Sequence, residues 1–454
     1  MYKLRIIKII AVIIAVAGNV LTAGARIWDM DSCMTYAVEH STSVEKKQWA
    51  AQESKAELQS SIGGFIPTVS SEVSAQYSWG RNIDPETNTY NTQATFNNYY
   101  RLYSSLTVFD GGRTLNGFLQ ARTKRQSGMA DIEKAKEDKE IEVMQKYVDL
   151  VYARAGVLLA EDKLKDSRRL LEKTRRQEEL GIKGRPDVVQ IEAQVAEDDY
   201  NLTHQRNQSR TALLALKSSM NYPSSDSLET DASLVRIEPE YRLEQVEDIY
   251  EYASGNSTAA RLAAFNVRTA MYDYRIMKGK LLPSISVFAG VSTNYYKNIT
   301  TGSVVDRFNS QFSNNLGEYI GASITIPIFN YSYYGNVRKA HSAVHIAELE
   351  KEESMRKLHD DIENAVMDRN GYVKEILQME HKVEADSLAY YVSERKYEEG
   401  MLSVTDLRAA ADTLLESRIT LLQMKMLYAM KDRLVDYYKG IGIIRNNNIT
   451  RNNK

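Results

Sequence analysis

Residues 69–79 read Val-Ser-Ser-Glu-Val-Ser-Ala-Gln-Tyr-Ser-Trp. Every even-numbered residue of this stretch is polar, and all but one of the odd-numbered residues are apolar or aromatic. This period of two predicts a β-strand with one apolar and one polar face. A strand of about ten residues with this pattern is typical of a transmembrane β-barrel, where the apolar face meets lipid. A soluble antiparallel sheet with one wet face alternates in the same way.

The same alternation recurs, more weakly in one case, in three further segments. The four predicted strands lie at about 66–80, 99–109, 284–296 and 318–329. The intervening stretches, 81–98 and 297–316, are long and polar, as extracellular loops of a membrane barrel are. No other strand-like segment is available to form the second layer of a sandwich. These two observations favour membrane strands over a soluble sheet.

Four strands cannot close a membrane barrel, because the smallest single-chain barrels have about eight. An open edge would leave backbone groups unpaired in lipid, at a cost of several kcal/mol each. We therefore expect several chains to share one barrel, and the strand count alone is compatible with two or three chains. Aromatic residues near the predicted strand ends would form the girdle at the membrane interface: Tyr77, Trp79, Tyr295 and Tyr296.

The chain carries one plan twice, with corresponding landmarks about 216 to 220 residues apart. Each copy is predicted to contain a helix, two strands and a long helical hairpin. The first copy occupies 26–222 and the second 245–440. Residues 223–244 connect the copies, and 441–454 form a polar tail.

Two long helices are predicted at 113–180 and 336–399, where no proline interrupts the chain. Apolar residues step by three and four along both, which is the spacing of a coiled-coil seam. The first seam is Ile141, Met144, Val148, Val151, Ala155 and Leu158. The second is Met355, Leu358, Ile362, Ala365, Tyr372, Ile376, Met379 and Val383, with Arg369 interrupting it. Shorter helices about half as long, at 30–62, 187–219, 245–278 and 404–438, would stack in pairs beside the long ones to build the wall of a helical tube.

The first 25 residues are predicted to be an export signal. Three basic residues precede an apolar run from Ile9 to Ala17, and Ala23-Gly24-Ala25 fits a cleavage site. The run is too short to span a bilayer, which needs about 20 residues.

The formal net charge of −2 gives no reason to expect nucleic acid as a partner. The single cysteine, Cys33, excludes an internal disulfide and is expected to be a buried, inert thiol.

Where each long helix ends, the two copies match again. A glycine stops each helix, at Gly181 and Gly400, because glycine readily adopts the left-handed C-terminal conformation. In both copies an aspartate follows six residues later, at Asp187 and Asp406. Ser403 or Thr405 could cap the helix that begins after the second turn. A turn that only ends one helix and begins the next needs no further function. The recurrence of these turns with the same spacing indicates that they have one.

Taken together, these features strongly resemble the TolC-like outer-membrane efflux protein family over essentially the whole mature chain. The resemblance includes the opening Met30-Asp31-Ser32-Cys33-Met34-Thr35-Tyr36-Ala37, the strand ends Phe109-Asp110-Gly111-Gly112 and Pro327-Ile328-Phe329-Asn330, and the two turns. It implies an α+β membrane protein and a homotrimer, whose twelve-stranded barrel takes four strands from each chain and continues as a long α-helical barrel across the periplasm. It also implies the outer membrane of a Gram-negative bacterium as the location.

The resemblance implies roles for the two turns, and it implies no cofactor. The turns would dock a periplasmic adaptor (membrane fusion) protein, which joins the duct to an inner-membrane pump of the RND, ABC or MFS type. The docking residues would be Leu180, Gly181 and Ile182 in the first turn, with Glu399, Gly400 and Met401 as a looser match in the second. Because glycine has no side chain, it permits the close approach of a partner helix.

The resemblance also places a periplasmic gate near the second turn. Asp406 lies where the family has a ring of acids, and such a ring attracts cations; a plain helix-capping role is the alternative. A second acid ring is not expected, because that position is Ala409. Tyr397 matches a tyrosine that holds the closed turn, bonding near Asp187. Leu402 replaces a basic latch residue, so Lys183 or Arg185 would take its place.

Two other classes of protein compete with this interpretation. His341 and His345 lie four residues apart on a predicted helix, but no glutamate stands between them as in the H-E-x-x-H zinc motif, and we predict neither a metal site nor an enzyme. An exported coiled-coil adhesin or structural protein would explain the seams. It would not explain the duplicated strand pairs or the paired glycine turns.

Overall fold

The computed structural model describes residues 27–83, 88–231, 238–300 and 307–444. The expected export signal lies outside these residues, as does most of the predicted tail. The chain divides into two compact units. The first comprises Met1–Lys46, Ile132–Ala260 and Met355–Lys454, and the second comprises Lys47–Asp131 and Arg261–Ser354.

The elements follow one another in two similar series. The strands are β1 (Ile27–Trp28), β2 (Thr68–Ile83), β3 (Tyr90–Phe109), β4 (Glu229–Thr230), β5 (Ser284–Asn298) and β6 (Gly317–Thr325). The helices are α1 (Met30–Glu39), α2 (Thr42–Ile62), α3 (Arg113–Glu179), α4 (Arg185–Ser219), α5 (Val246–Asn256), α6 (Thr258–Gly279), α7 (Phe308–Asn314), α8 (Tyr331–Glu398) and α9 (Val404–Tyr438). No helix among the described residues is both long enough and apolar enough to cross a membrane.

The second unit contains an antiparallel sheet in the order β2-β3-β5-β6. Its register aligns the apolar positions of all four strands on one face, because directly paired residues point to the same side. One such level runs from Val69 through Ser104 and Ala289 to Ile320. Val69 and Ile320 are 69% and 87% exposed, so the apolar face is uncovered at this level in the single chain. The predicted alternation is confirmed.

Aromatic rings are joined into a continuous group on the apolar face. Tyr77 lies 4.7 Å from Phe96, and Phe96 lies 6.3 Å from Tyr295, measured between ring centroids. Trp79 stacks beside Tyr77. Three of the four residues expected to form a girdle are therefore in this group, whereas Tyr296 belongs to the polar face.

The strand boundaries differ from the predicted ones by more than two residues in three places. β3 begins at Tyr90 and not at residue 99, and β2 continues to Ile83, so most of the expected loop 81–98 is strand. Polarity was misleading here, because Asn91, Gln93 and Asn97 lie on the polar face of a paired strand. β6 ends at Thr325 and not at 329, since Pro327 has no N–H to continue the ladder.

The expected loop 297–316 contains a helix, α7, that the sequence interpretation missed. Phe308 and Phe312, one helical turn apart, lie 6.1 and 5.4 Å from Tyr100 on the apolar face. The Gln311 amide also bonds both backbone groups of Tyr296. The sequence signal for this helix was a pair of phenylalanines, four residues apart, in a stretch of Asn, Ser and Gln.

The first unit is helical around a core that includes the predicted first seam. Met144, Val148 and Val151 are buried there, together with Cys33 and Leu216. Leu158 was expected in this seam but is 62% exposed, so that prediction was wrong. A two-stranded parallel pair, β1 with β4, closes the core and was not foreseen.

The long helices match their predicted extents to within a few residues, and α9 matches its range fully. The shorter helix expected at 30–62 is broken at His40 and Ser41, where the Ser41 hydroxyl bonds the Val44 N–H and starts α2. The one expected at 245–278 is broken at Ser257, whose hydroxyl accepts from the Ala260 N–H. Both breaks are serine caps within helical sequence.

Candidate functional site

The α3–α4 and α8–α9 turns have the same backbone geometry. Gly181 and Gly400 have φ of +74° and +76°. The N–H of Ile182 bonds the carbonyl of Gln177 at 2.8 Å, and the N–H of Met401 bonds that of Lys396 at 2.8 Å. The Gly181 N–H also bonds the Glu178 carbonyl, and the Gly400 N–H bonds that of Tyr397. Together these bonds form two Schellman motifs, which require a left-handed residue after the helix.

The apolar side chains beside the glycines point away from the protein. Leu180 is 74% exposed, and Ile182 and Met401 are each 64% exposed. A Cβ added at either glycine would meet no atom within 4 Å. The predicted docking residues therefore form two exposed apolar patches around glycines that crowd nothing in the single chain, with Glu399 at the edge of the second.

Asp187 and Asp406 occupy equivalent places, three residues after the residue that caps α4 or α9. The Asp187 carboxylate accepts from the Gly184 N–H at 3.2 Å. The Asp406 carboxylate accepts from the Ser403 hydroxyl at 2.7 Å. The Ser403 hydroxyl oxygen in turn accepts from the Asp406 N–H at 3.2 Å. Within one chain both acids thus complete capping arrangements, which explains their shared six-residue distance from the glycines.

Tyr397 is buried between the two hairpins, at 1% exposure. Its hydroxyl lies 3.2 Å from the Thr174 hydroxyl, and the Lys183 ammonium lies 4.3 Å from its ring centroid. Burial raises the pKa of Tyr397, the Thr174 bond lowers it, and the nearby charge of Asp187 raises it further. The expected partner Asp187 therefore acts on Tyr397 through its charge, whereas the hydrogen bond goes to Thr174, a residue that sequence reasoning missed.

Further contacts join the two hairpins around Tyr397. An apolar cluster combines Ile191 with Val404 and Leu407. Polar links flank it, from Lys173 to Glu398 at 2.6 Å and from Gln190 to Thr405 at 2.8 Å. Of the two expected latch residues, Lys183 contacts the opposite hairpin, while Arg185 lies near Glu178 and Glu192 of its own hairpin.

Histidines on α8 offer little support for metal binding. The rings of His341 and His345 meet edge to face at 4.6 Å, and His345 bonds Glu348. Within the part of the chain that the structure describes, the three closest metal-type side chains are His359, Asp360 and Glu363, and both acids are exposed. Nothing in this arrangement selects an ion.

Comparison with protein families gives a match to the outer membrane efflux protein model over residues 35–222 and 249–433. The chain belongs to the outer membrane efflux protein family. Both matched ranges follow the two copies seen in the sequence. The family assigns this chain to the outer membrane and to non-enzymatic transport.

Solved structures of outer membrane proteins have the same fold. The outer membrane protein VceC of Vibrio cholerae superposes with a TM-score of 0.78 at 14% identity, covering 91% of this chain and 96% of its own. The outer membrane channel CmeC of Campylobacter jejuni gives 0.74 at 14% identity, covering 93% and 88%. The MtrE outer membrane channel of Neisseria gonorrhoeae, in its open state, gives 0.73 at 18% identity, covering 92% and 89%. A comparison with curated protein sequences gives no significant match.

Proposed function

We propose that three copies of this chain form an exit duct in the outer membrane, in which one twelve-stranded barrel is shared and the helices build a periplasmic tunnel. The observation that carries the proposal is an apolar face, exposed at Val69 and Ile320, on a sheet with two open edges, β2 and β6. Val73 and Ile324 on those edge strands are exposed as well. In lipid, both edges need partner strands, since unpaired backbone groups cost several kcal/mol each.

The duct would work within a tripartite efflux or type I secretion system. The two exposed patches, around Gly181 and Gly400, would receive the helical hairpins of a periplasmic adaptor, which connects to an inner-membrane pump. Leu180, Ile182 and Met401 supply apolar surface on turns with no steric obstacle. Such patches on a protein surface are typical of interaction sites.

The periplasmic mouth would be gated near the same turns. In a trimer, three copies of Asp406 would converge and favour cations. Tyr397, with Thr174, Lys183 and the charge of Asp187, would hold the two hairpins of each chain together in the closed state. Opening would then require these contacts to separate.

The experiment that tests the duct is the native mass of the protein extracted in detergent from separated outer membranes. A particle of three chains is expected. A soluble or monomeric protein would contradict the shared barrel, because its four strands would then form an ordinary sheet.

A further inference from the structure

Two charged residues lie on the polar face of the sheet, and both occupy one level of the register. Arg101 of β3 pairs with Glu72 of β2 on one side and with Ser292 of β5 on the other. Every other residue that the ladders place on this face is neutral. The proposed lumen therefore carries its charge at a single height in the described strands.

Arg101 does not bond Glu72, although opposite charges on neighbouring strands usually attract. Its Nε donates to the hydroxyl of Tyr319 at 2.9 Å, and its guanidinium lies 4.5 Å from the ring centroid of Tyr103. The side chain thus reaches across β5 toward β6, away from the acid. No carboxylate of a described residue lies within 4.0 Å of the guanidinium, and its two terminal nitrogens bond no described residue.

Glycines on the same face make room for the aromatic rings. Gly290 is paired with Tyr319, and a Cβ there would lie 2.5 Å from the tyrosine hydroxyl and 2.8 Å from the Leu102 carbonyl oxygen. Gly321 is paired with Phe288 in the same way, with 2.6 Å to the ring. Both rings therefore cover a glycine on the neighbouring strand and lie against the sheet. The Tyr319 hydroxyl is held beside Arg101.

We propose that Arg101, positioned by Tyr103 and Tyr319, is an anion site in the lumen of the duct. It would take carboxylate, phosphate or sulfonate groups of permeating solutes, since the guanidinium presents two further donors in a fork that fits such oxygens. The inference rests on the proposed function, which makes this face luminal and brings three copies of the site to one height. Glu72 gives the same height a negative charge on a different strand.

The first test is the reversal potential of single channels in a KCl gradient. Arg101→Gln should lower the chloride-to-potassium permeability ratio about two-fold, because a unit charge is removed from the pore wall. Glu72→Gln is the matched control at the same level and should raise the ratio. A conducting Arg101→Gln channel with an unchanged ratio would overturn the anion site.

The second test restores the charge chemically. Cys33 is fully buried, so Arg101→Cys adds the one accessible thiol. Aminoethyl methanethiosulfonate should return the permeability ratio toward the wild-type value, whereas the sulfonatoethyl reagent should lower it further. Ile320→Cys on the apolar face should stay unmodified in the membrane. If Ile320→Cys reacts and Arg101→Cys does not, the proposed duct itself fails; if Arg101→Cys reacts without changing the ratio, only the anion site fails.

The third test displaces the positioning ring. Gly290→Ala should push Tyr319 from the sheet and reproduce the Arg101→Gln ratio, while Gly317→Ala should have no effect, since its Cβ would be 3.9 Å from the nearest atom. Tyr319→Phe keeps the ring but removes the hydroxyl, and serves where Gly290→Ala does not assemble. A wild-type ratio in Tyr319→Phe would exclude a positioning role for that hydroxyl.

Discussion

The two helical hairpins are nearly identical at their turns and differ along their long helices. At the turns, Gly181 and Gly400 share φ values within a few degrees, and Asp187 and Asp406 bond the capping residue of the next helix from the same place. The difference of 219 in residue number between the two glycines also relates positions along α3 to positions along α8. Along the helices, equivalent positions carry different residues.

Each long helix holds one end of the connecting segment with an arginine, but the arginines are one helical turn apart. Arg154 of α3 donates to the Thr230 hydroxyl at 2.6 Å and to the Leu228 carbonyl at 3.2 Å. Arg369 of α8 is fully buried and donates to the Glu244 carboxylate at 2.8 Å and to the Arg242 carbonyl at 3.1 Å. The position in α3 equivalent to Arg369 is the buried Leu150.

This difference shows which parts of a duplicated chain were free to diverge. The turns share one helix-stop and restart chemistry, whereas the middle of each helix meets a different neighbour. Arg154 of α3 bonds a hydroxyl and a carbonyl, whereas Arg369 of α8 bonds the Glu244 carboxylate. Burial raises the pKa of Glu244, but hydrogen bonds from Lys439 and Arg369 outweigh it, so that the pKa is lowered. Glu244 is therefore ionised and paired on both sides.

The largest effect is expected at the second turn. Gly400→Arg should abolish export while leaving the trimer in the membrane, because the added side chain enters open space that a partner helix would occupy. Export by cells and the native mass of the extracted protein are the two measurements. Gly181→Arg extends the comparison to the first turn.

Gly400→Ala is the control for the backbone. Any L-residue at this positive φ costs about 1 kcal/mol, so alanine and arginine share that cost. An equal loss of export in both variants would assign the effect to backbone conformation and not to docking. Normal export in Gly400→Arg would remove the docking role from this turn.

The arginine comparison predicts the next largest effect. Arg369→Met should destabilise the surrounding structure by about 3 kcal/mol, the lower end for breaking a buried ion pair, because Glu244 keeps Lys439 at 2.7 Å. Arg154→Met loses hydrogen bonds to neutral groups and should cost about 1.5 kcal/mol. Hydrogen exchange should rise at amides 240–248 in the first variant and at 228–230 in the second. Equal effects at both segments would mean that the two arginines do not act separately.

A smaller effect is expected from the paired aspartates. Asp406→Asn keeps an oxygen that can accept from Ser403 but removes the charge, so it should lower the cation preference of single channels about two-fold without changing assembly. Asp187→Asn is the matched variant in the other hairpin. If both variants leave selectivity unaltered, Asp406 is only a helix-capping residue.

The sequence was sufficient for the features that depend on local chemistry. Alternation gave the faces of the sheet, and the glycine turns and the extent of the long helices followed from Gly181, Gly400 and the absence of proline. The sequence was insufficient where the role of a residue depends on a partner far away in the chain. Arg369 was read as an interruption of a seam because Glu244 is 125 residues away, and the Thr174 contact of Tyr397 joins residues 223 apart.

The smallest predicted effect concerns pH and the position in α3 that corresponds to His359 in α8. Burial, and then repulsion by Glu137, raise the pKa of Glu140 from 4.5 to about 7, although Lys136 opposes the change. The folded state therefore binds more protons than the unfolded state between these values, and stability should fall as pH rises from about 4.5 to about 7. With partial solvent exposure we expect about 1 kcal/mol per chain. The apparent melting temperature, measured at a fixed scan rate, should decline over this pH interval in the wild type. It should change less in Glu140→Gln. Parallel declines in both proteins would show that a group other than Glu140 causes the pH dependence.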